Sequence, residues 1–393
     1  ASTAAITINN TDGTCDANLT AVSGGQLANR NMMVNGGFQV AQRLSYEGSG
    51  YAQNAGEYIG IDMFRTRISG GNSDGTTSVL LQQTSTAPVG FCKSLKLDVT
   101  TAYSSLSSGA YNTIVGEIEG YDIARTGFGA AGAKTLTLSF YVRSNLTGTF
   151  TGAVGNSSNN RSFAFNYTIS SANTWERKTI TIPGDTTGTW HKDHQMGLKI
   201  IWTLGVGTQY LTSTANTWQA DEHMGTTSGT NILASTDNEL YLTGVQLEVG
   251  SVATEFEHKS FQDEFQRCRR YYQKAREYGQ PNVDVDSWNT AEGFISQSKN
   301  LNNYDTLIRL SPEMRAAPTV IFRGSGGAVN SFRFEIPGVR NNQISTTPGT
   351  LNIKKAGIFC RLSLASGTPD DNGYRNGSGN AFVRTTFEAS AEF

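Results

Sequence analysis

Apolar and polar residues alternate along most of the chain after Met32, with a period of two. Leu136, Leu138, Phe140 and Val142 fall on one side of such a run, as do Phe163, Phe165, Tyr167 and Ile169, and again Leu198, Ile200, Trp202, Leu204 and Val206. In an extended chain successive side chains point to opposite faces, so each run predicts a strand with one buried and one solvated face. Turns rich in Gly, Asn, Ser and Thr separate about ten such runs over roughly 220 residues. The pattern predicts a mainly β protein in which two antiparallel sheets pack face to face, a jelly-roll β-sandwich over residues 31–258.

Other stretches qualify the pattern. Met32 to Arg43 reads as a strand broken at Asn35-Gly36-Gly37, and Gly56 to Ser69 as another anchored by Tyr58, Phe64 and Ile68. In Glu239 to Val249 the phase slips by one residue after Gly244, which predicts a bulge. Ser260, with Asp263 three positions on, is the N-cap of a predicted linking helix over 259–278. Phe261, Phe265, Cys268 and Tyr272 would share one face of it, while Arg267, Arg269, Arg270 and Lys274 mostly take the others. Residues 279–393 are expected to form a smaller C-terminal β domain: a loop-rich lead from Pro281, then at least four strands from Thr306. In these, Phe332, Phe334 and Ile336, and then Ile358, Cys360, Leu362 and Leu364, keep register, and the chain closes inside a strand at Phe393. Residues 1–30 lack an apolar period and read as an arm, whose Ile6–Ile8 piece is able to add to a neighbouring sheet edge.

Composition narrows the classes. With 393 residues, 43 glycines and 16% charged residues, the chain has the make-up of a turn-rich β protein large enough for two cores. A net charge of −2, with no basic patch outside the helix arginines, argues against nucleic acid as a partner. Cys15, Cys92, Cys268 and Cys360 are dispersed without CxxC spacing and read as free thiols; Cys92 and Cys360 fall in strand-like runs and Cys268 on the buried helix face. No signal peptide and no apolar run of membrane-spanning length is evident, and the start ASTAAITINN is expected to follow removal of an initiator Met.

Candidate chemistry is sparse. His191 and His194 have HxxH spacing around Asp193, but no third metal ligand is near in sequence; His223 and His258 are isolated. Glu117 and Glu119 share a strand face without marking a hydrolytic pair, and GFGAAG at 127–132 reads as a turn. No catalytic residue is assigned. Sugar binding needs a flat aromatic face ringed by a few polar groups. Trp202 falls in the core pattern and Trp175 at a strand start, whereas Trp190 and Trp218 stand in polar stretches that no strand face claims. These two, with Asn216, Gln219, Asp221 and Glu222, form the candidate ligand-binding set; packing of the loop against its own sandwich is the competing explanation. Asp221 and Glu222 are equally suited to a structural calcium ion, and no other cofactor is expected.

The combination of NRNMMVNGGFQVAQR, IEGYDIARTGFGAAGAKTLTLSFYVRSNLTGTF, NTWERKTITIPGDTTGTW and YLTGVQLEVGSVATEFEHKSFQDEFQRCRRYYQK resembles a family of bacteriophage tail-fibre-like virion proteins. That family carries a jelly-roll domain similar to carbohydrate-binding modules, and MRAAPTV followed by short strands resembles its C-terminal domain. The resemblance implies a non-enzymatic virion protein assembled in the host cytoplasm, commonly oligomeric. Two readings follow. One is a short tail fibre or receptor-binding protein: a homotrimer that attaches to other virion proteins through residues 1–30 and recognises host surface glycans. The other is a head decoration or adaptor that binds no sugar. In a trimer, Phe265, Arg267, Arg269 and Arg270 are the expected subunit interface.

Overall fold

The computed structural model describes residues 21–22, 25–26, 29–43, 51–52, 60–69, 79–275, 293–300, 303–323, 333–335, 348–363, 380–384 and 386–393. Ile6–Ile8, Cys15, Tyr58, Phe332, Ile336 and Leu364 lie outside them. The sandwich strands are β1 (Phe64–Ser69), β2 (Val79–Thr84), β3 (Ser94–Val99), β4 (Tyr111–Glu119), β5 (Leu136–Ser144), β6 (Gly148–Gly155), β7 (Arg161–Ile169), β8 (Glu176–Ile182), β9 (Met196–Val206), β10 (Trp218–Ala220) and β11 (Glu239–Val249). They form two six-stranded sheets. The first has the order β10-β7-β6-β9-β4-β1; the second runs β8-β5-β11-β3-β2 and ends on the short strand Tyr51–Ala52. Every pairing within them is antiparallel, and the chain passes repeatedly from one sheet to the other in jelly-roll fashion.

The apolar period explains the packing. The inward positions of β5, β7 and β9 are buried in one continuous core with Phe38, Phe64, Phe128 and Phe150. Each such large apolar side chain contributes roughly 1.5–3 kcal/mol by leaving water. Val206 departs from the expected period: the register of β9 against β4 shifts between Thr203 and Gly205, and Val206 packs instead against the outer cluster of Val115, Ala153, Ile201 and Met224. The bulge in β11 is present, with a register shift between Thr243 and Gln246 and Gly244 at φ 61°. A side chain there would collide with the rings of Phe91 and Tyr141, whose atoms lie 2.7 and 2.9 Å from where a Cβ would stand.

Met32 to Arg43 is not a strand. It is a chain of turns that enters the sandwich, with Asn35 at φ 60° and Phe38 at φ 54°. Side chains replace the missing ladder. Asn31 donates to the carbonyl of Val245 and accepts from the amides of Met33 and Leu247, while Asn35 donates to the carbonyls of Val40 and Asp62 and accepts from the amide of Val40. These bonds satisfy buried backbone groups that a strand partner would otherwise take.

Helix α1 spans Phe261–Arg269, capped by the Ser260 hydroxyl, which accepts from the amide of Asp263. It is shorter than the 259–278 read from the sequence. Strand β12 (Tyr272–Lys274) takes the residues that follow, because their backbone pairs with β20 (Thr386–Ser390). The shared face is correspondingly smaller: Cys268 is buried and Phe265 partly so, but Phe261 is 42% exposed and Tyr272 belongs to the strand.

Beyond the helix lie β13 (Gly293–Asn300), β14 (Asn303–Arg309), β15 (Thr319–Arg323), β16 (Arg333–Glu335), β17 (Pro348–Lys354), β18 (Gly357–Ser363), β19 (Asn380–Arg384) and β20. They make a six-stranded sheet, β16-β19-β13-β14-β18-β17, and a three-stranded one, β12-β20-β15. The lead from Pro281 therefore contains β13 and the start of β14 where a loop was expected; backbone pairing with β19 and β18 outweighs its polar composition. Ile308, Leu310, Met314, Phe322, Ile358, Cys360, Phe387 and Ala389 form a second core. The chain end is stitched to the sandwich. Arg315 donates to the carbonyls of Ala391, Glu392 and His194, Arg43 pairs with Glu392, and Phe393 packs against Tyr271. Among the described residues no helix is long and apolar enough to cross a membrane.

Candidate functional site

The loop tryptophans chosen from the sequence are packed. Trp190 is 6% exposed, and its indole donates to Asp185 and to the carbonyl of Thr187. Trp218 opens β10 rather than lying in a loop; it pairs with Phe163 and donates to the carbonyl of Pro183 at 2.7 Å. The two rings meet edge to face at 5.5 Å, and both contact Phe128, from the GFGAAG turn, at 5.0 and 5.7 Å. Arg161, clamped bidentately by Asp185, lies 5.9 Å from the Trp218 ring. This aromatic knot closes one end of the sandwich. Its geometry leaves no flat face of Trp190 for a ligand.

The polar members of that set divide. Asn216 is exposed at φ 59° with its amide donating to Ala164, and Asp221 is exposed at φ 68°. Gln219 bridges within its own segment, accepting from the Thr212 hydroxyl and donating to the carbonyl of Thr214. Glu222 turns inward under this segment and meets both Arg67 and Lys199. Burial opposes its charge, but the two cations hold its carboxyl below the usual range. A carboxylate already facing two cations is a poor calcium ligand. With Met224 buried on Val115, Ala153 and Ile201, Glu222 fastens the segment over the outer face of the first sheet. The Lys199 side chain is only 4% exposed, so Glu222→Ala takes the ion-pair partner from a buried cation and leaves it the Asn159 side-chain oxygen. The expected cost is about 3 kcal/mol, read as a lowered midpoint of urea unfolding, with Glu222→Gln losing less; an unchanged midpoint would show that the pair does not fasten the segment.

The other candidates are occupied as well. Glu117 accepts two hydrogen bonds from Arg65, and Glu119 accepts two from Arg270 and one from the Tyr271 hydroxyl. Arg270 thus finds its acid within the same chain. Arg267 lies 3.7 Å from Glu264, and Arg269 bonds Gln273. His191 approaches Asp193 at 3.8 Å, while the carbonyl of His194 accepts from Arg315. Among the described residues no group of three or more His, Cys, Asp or Glu is placed to hold a metal ion. Cys92 is exposed outside any strand, and Cys268 and Cys360 are buried; all three are free thiols.

A different surface assembles on the outer face of the second sheet. Tyr241 of β11 stands opposite Arg143 of β5 on one side and Lys96 of β3 on the other, and Lys96 stands opposite Gln82 of β2. Trp175 directly precedes β8, whose first residue pairs with Val142, so it comes alongside Arg143. One row therefore crosses five strands: Trp175, Arg143, Tyr241, Lys96, Gln82. At about 4.8 Å per strand it is roughly 19 Å long. Trp175, Arg143, Lys96 and Gln82 each keep part of their surface in solvent. The Trp175 ring meets Tyr241 edge-on at 6.1 Å, and the Arg143 guanidinium lies 4.7 Å from the Tyr241 centroid. Lys96 pairs with Asp98 and Glu239, Gln82 donates to Asp98, and the Tyr241 hydroxyl donates to Glu239. Beside the row, Tyr141 leads to a second aromatic group, Phe91, Phe256 and His258, with centroids 4.9–5.3 Å apart. Sequence reading missed Trp175 as a surface residue. The signal was its parity: Ile180 and Ile182 mark even positions of β8 as inward, which puts 175 outward.

No family model matches the chain, and no curated protein matches it. Among solved structures, the enzymatically active domain of tailspike protein 4 from bacteriophage CBA120 aligns at 12% identity with a TM-score of 0.29, covering 56% of this chain and 21% of that one. The aligned part thus spans about a fifth of that domain's length. A putative sugar binding protein from Bacteroides thetaiotaomicron aligns at 12% identity and TM-score 0.29, covering 56% of this chain and all of the other. A family 11 carbohydrate-binding module from Clostridium thermocellum aligns at 10% identity and TM-score 0.26, over 52% and 97% of the two chains. Likeness at this level carries no functional argument. The class that the chain's own strands define is an antiparallel β-sandwich followed by a smaller β region.

Proposed function

We propose that the chain is a non-catalytic virion protein of a bacteriophage, of short-tail-fibre or receptor-binding type, whose sandwich binds glycans on the host surface. The observation that carries the glycan reading is the row Trp175–Arg143–Tyr241–Lys96–Gln82. It sets the partly exposed ring of Trp175 among hydrogen-bonding groups on a sheet face that keeps contact with solvent, with Tyr241, 7% exposed, packed against Arg143 as support. The virion reading rests on the motif resemblance and brings a homotrimer with it, with residues 1–30 attaching to other virion proteins. A non-catalytic role accords with the placement of Glu117 and Glu119, buried and bound by arginines rather than facing a cleft.

The second reading, a decoration or adaptor protein without sugar binding, draws on the packed state of Trp190 and Trp218. The full chain, applied to a panel of purified bacterial surface polysaccharides, separates the two, together with gold labelling of virions by an antibody raised against it. Retention by at least one polysaccharide and gold at the tail tip is the expected result. Failure to bind any of them, with gold over the head, returns the architectural reading.

A further inference from the structure

The cations on and beside the sheet-face row differ in how they are compensated. Lys96 has carboxylate oxygens of Asp98 at 2.8 Å and Glu239 at 3.2 Å, and Arg177 approaches Glu255 at 3.7 Å. Arg143 has no carboxylate within ion-pair distance among the described residues. It is nonetheless held firmly. Its Nε donates to the carbonyl of Asn173 at 3.0 Å, one terminal nitrogen reaches the Asn173 side-chain oxygen at 3.4 Å, and its plane is supported by the Tyr241 ring. Asn173 is itself fixed, in the left-handed region at φ 56° with its amide donating to the carbonyl of Ser144 at 2.7 Å. Trp175 stands just ahead of the next strand in the same row, two residues beyond Asn173.

A guanidinium fixed on one side and without a carboxylate in direct contact on the other, Glu239 acting on it only from beyond ion-pair distance, is pre-organised for a planar anion. Its fork matches a carboxylate, and little side-chain freedom remains to be lost on binding. We propose that Arg143 anchors the carboxylate of an acidic sugar, a uronic or ulosonic acid unit of the glycan, with the ring of that unit lying against Trp175. This rests on the glycan-binding reading above. Lys96, neutralised by two carboxylates, does not compete for the anion, so the row carries a single anionic subsite and otherwise favours uncharged sugar units.

The test uses the full chain with polygalacturonate and polysialate, each beside the same polymer after reduction of its carboxyl groups to alcohols, and with neutral dextran. Wild type is expected to bind at least one acidic polymer and to lose about 10- to 100-fold in affinity for its reduced form. Arg143→Gln is expected to lose the same factor for the acidic polymer and none for the reduced one. Arg143→Lys keeps the charge without the fork and is expected to fall between. Unfolding midpoints of both variants equal to wild type show that the fold is intact. Equal binding of the acidic and reduced forms, or binding of dextran alone, overturns the acidic-sugar assignment and leaves the glycan reading standing. Failure of wild type to bind any of these polymers or any polysaccharide of the earlier panel overturns both.

Discussion

Replacing Gly36 by alanine is expected to cost more than about 4 kcal/mol or to prevent folding, a loss reserved for changes that break a core contact outright. A Cβ at this position would stand 2.0 Å from the carbonyl oxygen of Val245 and 3.1 Å from its carbon. Neither atom is the end of a flexible side chain. Val245 follows the bulge at Gly244, and its amide donates to the carbonyl of Gly36 at 2.9 Å, while its own carbonyl accepts from Asn31 at 3.0 Å. Relief of the collision must therefore break these bonds or move β11, which is paired on both sides by β5 and β3. Circular dichroism and urea unfolding of Gly36→Ala provide the check, and a midpoint equal to wild type would show that the turn does not engage β11 as described. Gly37 is the internal control, since its Cβ would meet only side-chain atoms at 3.7 Å or more.

Stability is also expected to fall as pH rises from about 4.5 to 7. Glu392 is buried where the chain end meets the sandwich, bonded to Arg43 and Ser390, with the Asp62 carboxyl close by. Burial, reinforced by the charge of Asp62 and only partly offset by Arg43, pushes its carboxyl up to about 7. The folded state thus keeps a proton that the unfolded chain releases near its ordinary value of 4.5. Where the native state binds more protons, unfolding becomes easier as pH rises. The favourable contribution is complete below about 4.5 and is lost as pH passes through 7, a span of about 3 kcal/mol. Burial raises Glu117 and Asp62 in the same direction. Groups held below their ordinary values, such as Glu222 and Glu257, act at lower pH, where their protonation is destabilising. Urea midpoints across pH 5 to 8 are expected to decline for wild type and to decline less steeply in Glu392→Gln, where Glu117 and Asp62 still contribute. A wild-type midpoint that rises over this range would contradict the assignment.

What the sequence disclosed follows from the range over which each signal acts. Alternation is local, so the inward residues of β5, β7 and β9 were legible, as were the Gly244 bulge and the Ser260 cap. Pairing is not local. The polar stretch that became β13 carries no apolar period and is a strand because β19 and β14 bond to it. Met32 to Arg43 looked extended, whereas Asn31 and Asn35 replace the sheet ladder with side-chain bonds to residues as far away as Val245 and Leu247.

The site was less legible for the same reason. Trp190 and Trp218 have polar neighbours in sequence, but Phe128 and Phe163 reach them from distant segments, burying the first and partly burying the second. Glu222, in a loop that looked solvated, is drawn under it by Arg67 of β1 and Lys199 of β9, 132 residues apart in the chain. The acid that pairs with Arg270 is Glu119, visible in the sequence but not assignable to Arg270 without the fold. Trp175 and Arg143 come together only through the register of β8 on β5, and no spacing within either strand announces the pair.

A ligand on the outer face of the second sheet, as proposed, would shield the backbone of that sheet from exchange. Hydrogen–deuterium exchange of the full chain with and without a saturating polysaccharide that it retains tests this most directly. Protection is expected in 139–145, 173–177 and 239–243, with 207–231 unchanged, and Trp175→Ala is expected to abolish it. Protection confined to 207–231, with Trp175→Ala binding as wild type does, would place the ligand on the fastened segment and contradict the account.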